Sequence, residues 1–219
     1  MNETVTSNII SSTLHTMVYH MRYSGAHVIR KENVAEHSYF VTMIADLIAQ
    51  DIRIKHNEVK IDQLKLLHMA LYHDTEEAYT GDLITPVKNK SQTLRDEWDK
   101  LCSIMMQEGL QHDFPGQEHI KNHILSIHTM YETGKNEVLE NQIVKFADGF
   151  QSLVYLLREI GFGNQYVVPI IQNIIQSLQK RFQNHLYLSS YVSDLQAVVS
   201  NSLSGKCNLS HIKPNAIQK

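Results

Sequence analysis

From Ile10 to about Val199 the apolar residues recur every three to four positions, and no stretch alternates apolar with polar in the manner of a half-buried strand. This pattern predicts an all-α protein, with helices near 7–22, 34–53, 61–79, 91–110, 117–131, 137–160, 165–184 and 186–201. All four prolines (Pro86, Pro115, Pro169 and Pro214) fall after residue 85. The tail "SGKCNLSHIKPNAIQK" has no hydrophobic face, so a folded domain over 1–200 followed by a flexible segment over 201–219 is expected.

Three of the predicted helices carry polar residues at or beside their apolar stripes. The helix near 34 is preceded by Asn33, with Glu36 at capping-box spacing, and its stripe runs through Val41, Ile44 and Ile48. One turn back from Val41 stands His37, which is expected to face the interior. In the helix over 61–79 the expected stripe is Ile61, Leu64, Leu67 and Leu71. Ala70, Asp74 and Glu77 continue along its edge, with His73 just beyond. The helix over 137–160 buries Ile143, Ala147, Phe150, Val154 and Leu157, and places Asp148 at the margin beside Gly149.

Carboxylates beside a core are costly unless a cation or hydrogen bonds compensate them. A divalent metal is the simplest compensation. Two imidazoles and two carboxylates suit a six-coordinate ion and leave positions for water and a substrate oxygen. Glu76, by contrast, fits a solvated helix end.

Composition narrows the class. A chain of 219 residues, 42% hydrophobic and 20% charged, is ordinary for one soluble domain. A net charge of −3 gives no footprint for a nucleic-acid polymer. Cys102 and Cys207 are far apart and form no CxxC, which fits a reducing cytosol. No basic-then-apolar start and no run of 18 apolar residues is present, so neither export nor membrane spanning is expected. A cytoplasmic protein follows.

In order along the chain, His37, His73-Asp74 and Asp148 resemble the H…HD…D signature of the HD-domain phosphohydrolases. The flanking words "RKENVAEHS", "YHDTEEAYTGDLITPVK" and "VKFAD" are similar to the YfbR-like 5′-deoxynucleotidase branch, over roughly residues 15 to 160. The resemblance implies a compact single-domain HD fold in which His37, His73, Asp74 and Asp148 hold one divalent ion, whether cobalt, manganese, zinc or magnesium. It assigns Glu77 to the attacking water, Asp82 to the vicinity of the scissile phosphate and Arg22 to the phosphate grip. Tyr23 stands where the bacterial pattern has tryptophan, and Lys88 is a further phosphate contact. A homo-oligomer, dimer or larger, is also implied.

The expected reaction is hydrolysis of the 5′-phosphate ester of a deoxynucleoside monophosphate. The alternative is a triphosphohydrolase of the phage dATPase kind, releasing tripolyphosphate. Arg30, Lys31, Lys88 and Lys90 are candidates for the extra positive charge that would need. Two remoter readings are a two-metal hydrolase using His119, His123 and His128, and a non-catalytic nucleotide-binding helical protein.

Overall fold

The computed structural model describes residues 4–82, 90–133 and 138–205. Among them the order is α1 (Val5–Ser11), a 3₁₀ turn (Thr13–Val18), α2 (Val34–Lys55), α3 (Gln63–Tyr72) and α4 (Glu77–Thr80). These are followed by α5 (Gln92–Asp113), α6 (Glu118–Thr133), α7 (Leu139–Gly161), α8 (Val168–Phe182) and α9 (Ser189–Leu203). The predicted all-α class is what is observed.

Local chemistry sets the helix starts that matter for the site. Asn33 caps α2, its Oδ1 accepting from the Glu36 amide at 2.8 Å. Asp62 caps α3 by accepting from the Lys65 amide at 3.0 Å. α2 packs against both α3 and α7, and α7 carries α8, which in turn carries α9. The main core lies between these helices, with Val41, Leu66, Phe146, Leu156 and Phe182 almost fully buried. A smaller cluster of Met106, Leu110, Phe114 and Ile124 joins α5 to α6.

Three expectations require correction. The stretch read as one helix over 7–22 is α1 and the 3₁₀ turn, parted at Ser12, with residues 19–22 outside any helix. The stretch read as one helix over 61–79 is two: α3 ends at Tyr72, and residues 73–76 form turns before α4. The amides of Thr75, Glu77 and Ala78 bond to carbonyls three residues back, at 3.2, 3.0 and 3.1 Å. This tighter winding brings residues three apart into line, so Asp74 and Glu77 still share a side. The phase of α3 also differs. Leu64 and Leu71 are 65% and 48% exposed, whereas Leu66, Met69, Ala70 and His73 are buried. His73 thus terminates an i, i+3, i+4, i+7 stripe and does not lie beyond it.

The loop between the 3₁₀ turn and α2 is held at both ends. A short antiparallel pairing joins Met21 to Asn33, with the Arg22 amide donating to the Glu32 carbonyl at 2.9 Å. Buried Glu159 on α7 accepts from the amides of Ile29 and Arg30 at 2.6 and 2.9 Å. This anchorage fixes Arg22 and Tyr23 against α7. Tyr23 has φ of 56°, the one non-glycine residue with positive φ among those described. Such a conformation is uncommon and concentrates at functional sites.

Gly149 governs how close α8 lies to α7. A Cβ at this position would come within 2.8 Å of Leu178 Cδ2. Gly149→Ala is therefore expected to lose about 1–2 kcal/mol of stability, overpacking outweighing the gain in helix propensity. Denaturant unfolding measures it. An unchanged midpoint would mean that Leu178 yields freely.

Candidate active site

His37 in the first turn of α2, His73 at the end of α3 and Asp74 immediately after it converge in the structure. His73 Nε2 lies 3.3 Å from His37 Nε2 and 3.2 Å from Asp74 Oδ2. His37 Nε2 is 3.6 Å from the same carboxylate oxygen and 3.2 Å from Asp148 Oδ1 on α7. Among the described residues, His37, His73 and Asp74 form the one group whose donor atoms all lie close enough together to hold an ion. Asp148 joins it through His37.

The hydrogen bonds behind the imidazoles determine what their front faces offer. Gln151 Nε2 donates to Glu32 Oε1 at 2.5 Å, so its Oε1 is left to accept from His37 Nδ1 at 2.6 Å. His73 Nδ1 lies 2.9 Å from the Ala70 carbonyl, which can only accept. Both rings when neutral therefore carry their protons on Nδ1. Two bare Nε2 lone pairs then face each other and two carboxylates, an arrangement that demands a cation. The donor set fits a divalent ion.

The electrostatics of the side chains by themselves point the same way. Burial opposes charge on His73, but Asp74 overrides it and pushes its pKa up to about 8. Burial also works to raise Asp148, yet His37 and His73 hold it down to about 2. Asp74 is likewise depressed, with His73, His37 and Arg22 outweighing its burial. His37 is lowered, first by burial and then by Arg22. Both acids thus stay ionised.

Glu77 differs from these acids. Burial, then Asp74 and Asp82, push its pKa well above the usual carboxylate range. Its Oε2 is buried and has no hydrogen-bond partner. Arg22 bonds to Asp74 Oδ2 at 3.2 Å and to Ser152 Oγ at 3.3 Å, with Glu32 Oε2 3.7 Å from its Nε. The Tyr23 ring stacks on Tyr155 with centroids 5.0 Å apart.

Arg22, Tyr23, Asp82 and Asp148 line one cleft of about 760 Å³. Gly81, with φ of 70°, turns the chain out of α4 and brings Asp82 to this cleft. Lys88 lies outside the described residues. Arg30, a candidate for extra phosphate charge, is 58% exposed and pairs with Glu36 at 2.8 Å. Lys145 and Arg181 line the cleft with Arg22, and neither was anticipated.

Glu76 is not a solvated helix end, because its Oε2 pairs with His128 Nε2 at 2.9 Å and both side chains are only 15% exposed. The His123 ring meets His68 at 5.5 Å. Glu32, Gln151 and Ser152 also escaped the sequence reading. Gln151 and Ser152 stand three and four positions after Asp148, and that helical spacing was the available signal.

Comparisons with solved structures show the fold. An HD-domain phosphohydrolase from Listeria innocua superposes with a TM-score of 0.71 at 24% identity, covering 91% of this chain and 92% of that one. A cyanophage S-2L HD phosphohydrolase bound to dA and one catalytic Zn²⁺ ion superposes at 0.57 with 15% identity, covering 88% and 95%. The fold is that of the HD-domain phosphohydrolases.

Sequence relationships are narrower. A 5′-deoxynucleotidase of Yersinia pestis (strain Pestoides F) is 32% identical over 161 residues, 70% of this chain and 74% of the relative. Another, from Yersinia pseudotuberculosis serotype I, is 32% identical over 189 residues, 80% and 88%. Residues 10–201 match the YfbR-like 5′-deoxynucleotidase family, and the chain belongs to it. It is a hydrolase acting on the 5′-phosphate ester of deoxynucleotides, and the triphosphohydrolase alternative is not favoured. No helix among the described residues is long and apolar enough to cross a membrane.

Proposed function

We propose that His37, His73, Asp74 and Asp148 hold one divalent ion, and that the site releases orthophosphate from deoxynucleoside 5′-monophosphates. The observation that carries this reading is the pair of Nε2 atoms 3.3 Å apart with Nδ1 committed behind each. When bound, the ion supplies Lewis acidity toward a phosphoryl oxygen and toward water. The mixed nitrogen and oxygen donors accept cobalt, manganese or zinc, and magnesium less readily.

The protein's own groups carry the remaining work. Arg22, oriented by Asp74, Ser152 and Glu32, offers its guanidinium to the phosphate from the cleft wall. Its charge is secure: burial opposes it, and the ionised carboxylates of Asp74 and Asp148 help to outweigh that burial. Glu77 holds a carboxyl oxygen without a partner beside Asp74, placed to orient the attacking water and move its proton. Asp82 assists near the ester oxygen. Tyr23, braced by Tyr155, gives the sugar and base an aromatic wall. Gln151 acts through His37 by fixing its tautomer.

We also place the enzyme in the cytoplasm as a homo-oligomer, with the catalytic domain expected over 1–200 carried on to Leu203 by α9 and an appended segment after it. Tyr39, Met43, Leu47 and Ile54 form an exposed stripe along one face of α2, which supports a subunit contact. Analysis of phosphate products across the four deoxynucleotides, each as mono- and triphosphate, tests the reaction. Orthophosphate from monophosphates is expected, and intact tripolyphosphate as the main product would replace this reading.

A further inference from the structure

Glu76 and His128 take no part in the chemistry above, although Glu76 stands between Asp74 and Glu77 in the chain. Among the described residues no third donor gathers with this pair closely enough to hold an ion, so His128 does not build a second metal site there. What the pair makes is a tie between α6 and the turn of residues 73–76, with His128 Nε2 2.9 Å from Glu76 Oε2. Burial works against a charge on His128, yet the bond to Glu76 and the charge of that carboxylate raise its pKa above the ordinary imidazole value. The tie is thus a charge-assisted hydrogen bond.

The two sides of this tie differ in stiffness. α6 is fixed by Ile124, Ile127 and Tyr131, all buried, and the Tyr131 ring meets His73 edge-on at 5.6 Å. α4 has four residues, too few to hold its own shape, so its placement depends on what its groups reach. Its far end is held by Tyr79 Oη donating to Asp113 Oδ2 at 3.0 Å and by Thr16 Oγ1 donating to the Ala78 carbonyl at 3.1 Å. Its near end starts from Glu76, whose carbonyl accepts from the Tyr79 and Thr80 amides at 2.9 and 3.1 Å. The Glu76 side chain anchors that near end, and so it sets the roll of α4 and the direction of Glu77.

Asp74 has little need of this anchor, because His73, His37 and Arg22 hold it separately. Glu77 Oε2 is buried without a hydrogen-bond partner, so the direction of its carboxyl follows from the backbone beneath it. We propose that His128 is a positioning residue, which acts through Glu76 and the start of α4 to aim the Glu77 carboxyl at the attacking water. This rests on the role given to Glu77 above.

The test is kcat, KM and bound ion for the wild type, His128→Ala, His128→Gln and the double variant Glu76→Ala/His128→Ala. His128→Ala should lower kcat by about 10–100-fold, the cost of losing an outer partner, with KM held within about threefold and the ion at wild-type stoichiometry. The double variant leaves no buried charge unpaired, so it should fold, and it should lose no more than His128→Ala. His128→Gln, whose amide can donate to Glu76, should restore kcat to within about threefold of the wild type. On a Glu77→Ala background His128→Ala should change kcat by less than about twofold, because the group it aims is gone.

A crystal structure of His128→Ala reads the same effect without turnover: the Glu77 carboxyl should move by about 1 Å, a shift large enough for such a loss, while Asp74 stays in place. Equal losses with and without Glu77, or a lower melting midpoint at unchanged kcat, would make the pair a purely structural tie and overturn the proposal. A wild type that released tripolyphosphate instead would sink the proposed reaction, and the same ratios on that substrate would still decide the role of His128.

Discussion

Asp74→Ala is expected to empty the site of its divalent ion and lower kcat/KM for deoxynucleoside monophosphates by at least about 10³-fold, beyond the 10–100-fold cost of losing an outer partner. The carboxylate stands 3.2 Å from His73 Nε2, 3.6 Å from His37 Nε2 and 3.2 Å from Arg22. Without it, two imidazoles and a guanidinium lose the one carboxylate that all three share. Cation affinity falls through the loss of a ligand and the gain of local positive potential. Elemental analysis of the purified variant measures the ion directly.

Thermal unfolding gives a second, independent check on the same residue. An ion that binds only the folded chain stabilises it in proportion to its binding, so a chelator should lower the wild-type midpoint. The Asp74→Ala midpoint should not respond to chelator. A variant that retains one ion per chain would contradict the ligand role of Asp74, whatever its activity.

Much of this site was legible because helical periodicity carries information about facing. His37 was placed by counting back from Val41, and the structure buries it fully. Asp148 was placed by its position at the edge of the Ile143 and Ala147 stripe, and it reaches His37. The α3 stripe was misjudged for a physical reason. The leucines Leu64 and Leu71 carry the strongest hydrophobic signal, but the face that packs holds Leu66, Met69, Ala70 and His73, where small and polar side chains dilute the pattern.

The break at residues 73–76 was hidden similarly, since no glycine or proline marks it. What ends α3 is a change from four-residue to three-residue hydrogen bonding around the site. The Glu32–Gln151–His37 relay was invisible for another reason: it joins a loop to the middle of a helix more than a hundred positions away, and pairing of that kind leaves no periodic trace. The same holds for Glu159, whose carboxylate anchors the loop bearing Arg22.

Glu77→Ala should separate chemistry from metal binding. The variant is expected to keep the ion at wild-type stoichiometry while kcat falls by about 10²–10⁴-fold, the range for loss of a positioned acid–base group. Its stability should move the other way. Glu77 buries a carboxyl beside Asp74 and Asp82, and one of its oxygens has no partner, a condition that costs about 1–3 kcal/mol. Removing it relieves that cost, so the metal-loaded variant should melt at or above the wild-type temperature. A residue kept at the expense of stability and needed only for turnover is what a catalytic role demands. A structural role predicts the reverse, a lower midpoint with activity lost only through unfolding. Loss of the ion from Glu77→Ala would move this residue into the ligand set.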